Sequence, residues 1–334
     1  MTSEIYIIND LDDLGKNKWN GFVEQVPDYT IYNTYGWVKA LQEGEQLQGR
    51  HVIVEKDGVI IGALPCFISS IRGTPFKRLD SNRPGSGGPL LLHDKEKTLN
   101  KISRKIKSLL RGTIISHRIL SINHSHLSLN KLLSEQRYYL TINNVDTVYN
   151  LTGTWKQVLG RMSKNRRREI KNADSGKVTE LSIEPDNINR FNISYAKVLS
   201  RHGARPLQPG FIQEIAHQFP DKAKLFTVEE NEVTIGGYLV IIDEPNNMIR
   251  AVAGGIPDIH QYSKHSNNLF RKLLEYTKEH GFSYLDVGGS PADISNGLYR
   301  FKKSFGGTDY PIYCWQTGNL VWDMLRFVSK IKPN

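Results

Sequence analysis

Two hydrophobic periods follow one another along the chain: apolar residues at every second position, then apolar residues every three or four. Alternation through Ile5 and Ile7 predicts an opening strand over 1–10, and helices follow over 12–26 and 32–42, the latter begun near Thr34 with Trp37, Ala40 and Leu41 on its apolar side. Strands are predicted over 51–55 and 59–69. Lys56-Asp57-Gly58 turns between them, since Asp-Gly suits the positive φ angles of a tight hairpin. Residues 72–89, RGTPFKRLDSNRPGSGGP, read as a long loop in which Gly85, Gly87 and Gly88 permit close backbone approach. A basic helix over 94–110, a strand over 114–122, a helix over 127–136 and a strand over 138–149 complete a first unit, 1–150.

The second unit, 151–334, opens with a helix over 154–176. Trp155, Val158, Leu159, Met162, Arg166, Ile170 and Ala173 share one face, and Arg161, Lys164, Arg167, Arg168 and Lys171 another. That cationic face is either solvated or follows a phosphate backbone, because long basic side chains at one-turn intervals suit a polyanion. Next come a strand over 178–183, a helix over 188–200, a loop over 201–206 and a short helix over 211–219. Strands over 225–229, 233–242 and 248–253 follow, the last ending at Gly254-Gly255. A helix over 264–280 stops at Gly281 and feeds residues 284–307, YLDVGGSPADISNGLYRFKKSFGG. There a short strand breaks at glycine and proline. A helix then carries Leu298, Phe301 and Phe305 on one face with Arg300, Lys302 and Lys303 between them. A strand over 312–317 and a helix over 321–331 end the pattern.

The hydrophobic pattern also repeats itself. At an offset of 174, HVIVEKDGVIIGALP (51–65) matches LFTVEENEVTIGGYL (225–239), aligning Val54 with Val228, Glu55 with Glu229 and Gly62 with Gly236. One α/β fold used twice in tandem is the implied architecture.

Charge narrows the partners. A net charge of +10 favours anionic ligands such as nucleic acid, phosphorylated small molecules or an acidic membrane face. No apolar run is long enough to span a bilayer, and the opening residues carry no secretory pattern, so a cytoplasmic protein is expected. Cys66 and Cys314 sit in apolar runs and read as buried free thiols. His117, His124 and His126 match no common metal-ligand spacing, and no metal site is expected. Lys302 has two readings: a solvated lysine on a surface helix, or an ammonium turned into a cleft at a strand end, steadying negative charge. Asp286 and Asp293 flank the same strand end and are candidate bases, Asp286 reading equally as a structural carboxylate.

A helix pair, a hairpin with glycine in its second strand, then strand, helix and strand resembles the GNAT acyltransferase fold. The tandem, with SKNRRREIKNA opening the second copy and NGLYRFKKSFGG near its end, is similar to the FemAB-type family. The resemblance covers nearly the whole chain. It is strongest over 154–315 and weaker in DGVIIGALPCF and PGSGGPLLL. It implies an α/β (α+β) protein of two tandem GNAT-like domains with mixed, mainly antiparallel sheets. It also implies transfer of an acyl or aminoacyl group to an amine of a phosphorylated or lipid-linked glycan or cell-envelope precursor. No bound cofactor is expected; aminoacyl-tRNA or acyl-CoA would be the co-substrate, with peripheral association at the inner membrane face. By the same resemblance Lys302 and its neighbour Phe301 are catalytic; the resemblance names no general base, and Asp286 is a candidate by its place at the strand end alone. Arg201 resembles an arginine that binds a phosphorylated acceptor, and Lys39, two residues past Trp37, stands near where the family has a further contact; Arg205 and Tyr299 are additional candidate substrate contacts. Two departures matter. The coiled-coil arm of some members is absent. The Gln/Arg-x-x-Gly-x-Gly/Ala loop of CoA-using enzymes has no match where AGGIPDIHQYSKHSNN stands, which favours the tRNA donor. The alternatives are an acyl-CoA-dependent N-acyltransferase and a non-catalytic RNA-binding protein.

Overall fold

The computed structural model describes residues 3–27, 29–81, 85–173, 176–201, 205–257 and 261–331. In chain order the first elements are β1 (Glu4–Ile8), α1 (Lys16–Val23), α2 (Tyr35–Lys39), β2 (Gln48–Gly49), β3 (His51–Lys56), β4 (Val59–Leu64), β5 (Phe67–Ser70), β6 (Lys77–Ser81), β7 (Leu90–Leu91), α3 (Lys95–Leu109), β8 (Ile114–Ser121), α4 (Asn130–Glu135) and β9 (Tyr139–Asn150). Then come α5 (Trp155–Arg161), α6 (Lys164–Lys171), β10 (Lys177–Leu181), α7 (Pro185–Arg201), α8 (Pro209–Gln218), β11 (Ala223–Glu230), β12 (Val233–Asp243), β13 (Met248–Gly255), α9 (Ser263–Glu279), β14 (Tyr284–Pro291), α10 (Gly297–Ser304), β15 (Thr308–Gly318) and α11 (Leu320–Ile331).

The chain forms two compact units, Met1–Ile142 with Ile312–Asn334, and Asn143–Pro311. This corrects the expected division at Asn150. The last strand and helix belong with the first unit because β15 pairs antiparallel with β8, Tyr313 opposite Ser121 through Gly318 opposite Ser116. Trp315 is fully buried in that unit's core, and its Nε1 donates to Asn130 Oδ1 at 2.9 Å. Burying such a side chain is worth about 2–3 kcal/mol, enough to decide which unit claims the strand.

In the first unit β1-β3-β4-β7 form an antiparallel sheet, and β2, β5, β6 and β8 run side by side with β6 and β8 parallel. β6 lies where a loop was expected. Its charges hid it: Asp80 is buried between Arg78 (2.9 Å) and Arg118 (2.7 Å), a pairing invisible to hydrophobic period. In the second unit β10-β11-β12-β13 repeat the antiparallel order. α9 then carries the chain to β14, parallel to β13, and β14 pairs with the 144–150 part of β9. Phe226, Val240, Leu269, Phe270, Leu285 and Phe305 form its main core.

The repeat holds in detail. β3 and β4 shift register between Val54 and Glu55; β11 and β12 shift between Val228 and Glu229, at the same aligned positions. Both turns use positive φ at the two central residues, Asp57 and Gly58 in one, Asn231 and Glu232 in the other. The expected helix over 154–176 is broken. Met162 and Ser163 are extended, Ser163 Oγ accepts from Arg166 N to start α6, and Ser163 N donates to Ser304 O at 3.0 Å.

Candidate active site in the second unit

β13 and β14 pair only from Met248 opposite Tyr284 to Arg250 opposite Asp286. Beyond that β13 stays with β12 as far as Gly255, while β14, paired with β9 on its other edge, bulges after Asp286 and resumes that pairing at Gly289. The parted strands leave a cleft of about 440 Å³. Tyr195, Val198, Leu199 and Arg201 of α7 line it, with Tyr238 of β12, residues 251–257, residues 287–289, and Leu298, Phe301 and Lys302 of α10. Glycine is required where the wall is thinnest. A Cβ at Gly254 would sit 2.7 Å from the Tyr238 ring, and Gly288 has φ +74°. The Tyr238 hydroxyl has no hydrogen bond to any described residue, and burial pushes it up to about 12, so Tyr238 lines the cleft as a neutral phenol.

α10 distributes its side chains by face. Asn296 caps it, accepting from Leu298 N and Tyr299 N at 3.0 and 3.2 Å. Phe301 and Phe305 pack edge-on to each other and against Phe270, and the Arg166 guanidinium lies 4.5 Å from the Phe305 ring centre. Tyr299 and Lys303 turn to Asp309, at 2.9 and 2.8 Å. Lys302 points at the bulge of β14. Its Nζ donates to Val287 O (2.9 Å), Gly288 O (2.7 Å) and Gly289 O (2.9 Å), and the residue is 6% exposed. The solvated-surface reading of Lys302 is therefore excluded.

Behind this wall lies a buried charge cluster. Arg250 bridges Asp243 (Nε to Oδ2, 2.6 Å) and Asp286 (Nη1 to Oδ2, 2.7 Å), and Asp286 Oδ1 accepts from Gly288 N at 2.7 Å. Asp146 is buried beside them. Burial, and then the Asp286 charge, push its carboxyl well above the usual range. Burial lowers Lys302 to about 8, opposed by Asp146 and Asp286. Arg250 thus spends its charge on two carboxylates, and Lys302 keeps its own.

The structure gathers some predicted residues and scatters others. Lys302 and Phe301 line the cleft, and Arg201 stands at its rim, donating to Pro257 O. Asp286 is not among the described lining residues; its carboxylate is committed to Arg250 and Gly288. Asp293 is exposed and holds the turn through Ser295 N at 2.8 Å. Tyr299 is turned to Asp309, and Arg205 is exposed and not among the described lining residues; residues 202–204 of its loop lie outside the described residues. In the first unit, Trp37 is fully buried against Tyr32. Lys39 is enclosed by Asp10, Asp12 and Glu43, so both are interior residues. Of the basic face, Lys164, Arg168 and Lys171 are exposed and Arg167 is half-exposed. Arg161, across the break, donates to Asn150 O and to Thr152 O. Cys66 is buried near His117 (Sγ to Nε2, 3.6 Å), with the thiol pushed up and the imidazole down to about 3 by burial; Cys314 is half-buried.

Sequence reasoning missed Tyr238, Tyr195 and Asp146. The repeat held a signal for the first: Tyr238 stands where the other copy has Leu64, a polar tip in place of an apolar one. Asp146, a carboxylate within a strand, was a second.

No protein-family profile matches the sequence, and no curated protein does. Solved structures share its fold. FemX is 12% identical, with TM-score 0.69, over 98% of this chain and 100% of that one. A tandem GNAT protein from the clavulanic acid biosynthesis pathway is 13% identical, with TM-score 0.59, over 95% and 98%. L-PGS from Bacillus licheniformis is 13% identical, with TM-score 0.58, over 92% of each. The chain has the expected tandem GNAT fold.

Proposed function

We propose that this protein transfers an acyl or aminoacyl group to an amine in the cleft of its second unit, with aminoacyl-tRNA as donor and an amine of a cell-envelope or glycan precursor as acceptor. The observation that carries the reading is Lys302, a buried lysine whose Nζ is hydrogen-bonded to three backbone carbonyls, set in the wall of a cleft where two parallel strands part. The acceptor amine attacks the ester carbonyl and an oxyanion forms; on its collapse the ester C–O bond breaks, and the proton shed by the nitrogen goes to the departing ribose oxygen, giving amide and ribose hydroxyl. The three N–H groups of Lys302 are engaged by β14, so it acts through its field. The neutral Tyr238 hydroxyl supplies the hydrogen bond to the oxyanion. The exposed cations of α6 and Arg201 supply phosphate contacts for the donor. FemX and L-PGS share the fold; the absence of a CoA pyrophosphate loop in AGGIPDIHQYSKHSNN supports tRNA over CoA.

The test is a binding and turnover comparison on the full chain. Charged tRNA is expected to bind in a salt-sensitive way, to bind more weakly when Arg167 and Arg168 are both replaced by alanine, and to donate its aminoacyl group to amino sugars or peptidyl amines. Saturable binding of acetyl-CoA with turnover would replace the donor. Binding of tRNA with no transfer to any amine would make the protein an RNA-binding one.

A further inference from the structure

Arg166 is a cation on the apolar face of α6, and it is turned inward. It shares that face with Ile170, one turn on, and its side chain is 15% exposed although Lys164, Arg168 and Lys171 stand in solvent. Its Nε donates to Ser304 Oγ at 2.9 Å, and its Nη1 donates to Glu169 Oε2 at 2.8 Å and to Asn267 Oδ1 of α9. The guanidinium lies 5.0 Å from the Phe301 ring centre and 4.5 Å from that of Phe305. Three of these partners flank Lys302 on α10: Phe301 precedes it, and Ser304 and Phe305 follow within a turn. The main chain reinforces the joint. Ser163 N donates to Ser304 O at 3.0 Å, and Gly306 passes so near the end of α5 that a Cβ there would lie 2.4 Å from Arg161 O.

α10 needs such a joint. With eight residues it is too short to hold its own shape or direction. Lys302 meets its three carbonyls at 2.7–2.9 Å, and a slide of the helix by about 1 Å would carry the ammonium out of hydrogen-bond range of them. A planar guanidinium suits the place, because it stacks on rings and donates in its own plane at once, which an ammonium cannot do. The other end of the joint is α6, whose remaining cations face outward. We infer that Arg166 is a positioning residue: it braces α10 against α6 and so sets the Lys302 ammonium in the cleft wall, in fixed register with the helix that meets the donor's phosphates. This role presupposes the donor and oxyanion contacts proposed above and gives Arg166 no contact with substrate of its own.

Amine labelling of the full chain with acetic anhydride, read at each lysine by mass spectrometry, tests the brace without any donor. Arg166→Met keeps the stem and removes the fork. In it Lys302 should label about tenfold faster than in wild type, as a group released from a protected site does. The midpoint of that labelling should rise from about 8 toward 10.5 as water reaches the group, with Asp146 and Asp286, the carboxyls whose fields reach it, left in place. Amide hydrogen exchange in β11 and β12 should not change, which separates a displaced α10 from a loosened unit. Arg166→Lys, which keeps a charge for the rings, should fall between the two. With charged tRNA and an amine, kcat should drop about tenfold to a hundredfold while KM for the tRNA stays within about twofold. Ser304→Ala removes one Arg166 acceptor, should shift the same readouts less, and decides the matter where Arg166→Met does not fold. The role is overturned if Lys302 labels in both variants as it does in wild type, if KM alone changes, or if exchange in β11 and β12 rises with the labelling in both. A wild-type chain that labels as expected but transfers nothing would overturn the proposed function and leave the brace standing.

Discussion

Lys39 in the first unit and Lys302 in the second are equally hidden, 7% and 6% exposed, and each ammonium is fully hydrogen-bonded. They differ in what receives the protons. Lys39 is held by the carboxylates of Asp10, Asp12 and Glu43 at 3.0–3.1 Å, Lys302 by three neutral carbonyls. Burial lowers both. At Lys39 the three carboxylates overcome it and leave the group raised; at Lys302 burial prevails and the group falls to about 8. Depth alone therefore says little. A cancelled ammonium is a strut, whereas an uncancelled one beside a cleft projects a field that a developing oxyanion can use.

The comparison rests on Arg250, which keeps Asp286 from cancelling Lys302. Arg250→Leu strands two buried carboxylates and is expected to cost about 3–5 kcal/mol of stability, read by urea unfolding. In the folded fraction Asp286 would turn its charge on Lys302, making it resemble Lys39, and the lysine's titration would move up from about 8. A variant as stable as wild type would show that the cluster is not the sink for these charges.

Lys302→Met keeps the stem and removes the charge. Turnover should fall about a hundredfold or more, the usual result of losing one oxyanion stabiliser. Wild-type turnover would reduce Lys302 to a clamp on the β14 bulge. The pH dependence sharpens this. The folded group lies near 8 and its ordinary value is 10.5, so between those values the unfolded chain binds more protons and stability rises with pH. Over the same window the folded ammonium loses its proton and turnover should fall. Stability and activity moving in opposite directions above pH 8, and neither moving in Lys302→Met, is the expected signature.

Much of this was legible in the hydrophobic pattern because it is local. The hairpins, the helix holding Lys302 and the tandem repeat follow from period, turn chemistry and capping, and the aligned bulges at Val54 and Val228 show how far the repeat extends. What escaped depends on partners far along the chain. β6 needs Arg118 to bury Asp80, the break at Ser163 needs Ser304 O, and β15 joins the first unit through β8. The same limit applied to the site. Lys39 and Lys302 both read as candidate ligand-facing cations, and only the arrangement of Asp10, Asp12 and Glu43 around one of them separates the two.

Lys39→Met is the smallest expected effect and the control for all of this. Methionine fills the volume of the lysine stem without its charge, and the carboxylates it deserts are each more than a third exposed, so water can replace the ammonium. Asp12 also keeps its hydrogen bond from Tyr35, which contributes most to holding its carboxyl low. The loss should be about 1–2 kcal/mol, between the values for exposed and buried ion pairs. Because Lys39 is cancelled where it stands, kcat and KM should not change, and steady-state kinetics beside thermal unfolding would check both. A raised KM with unaltered stability would mean that Lys39 leaves its carboxylates to meet the acceptor. The contrast between the two lysines would then be one of timing, with Lys39 freed by substrate and Lys302 free from the start.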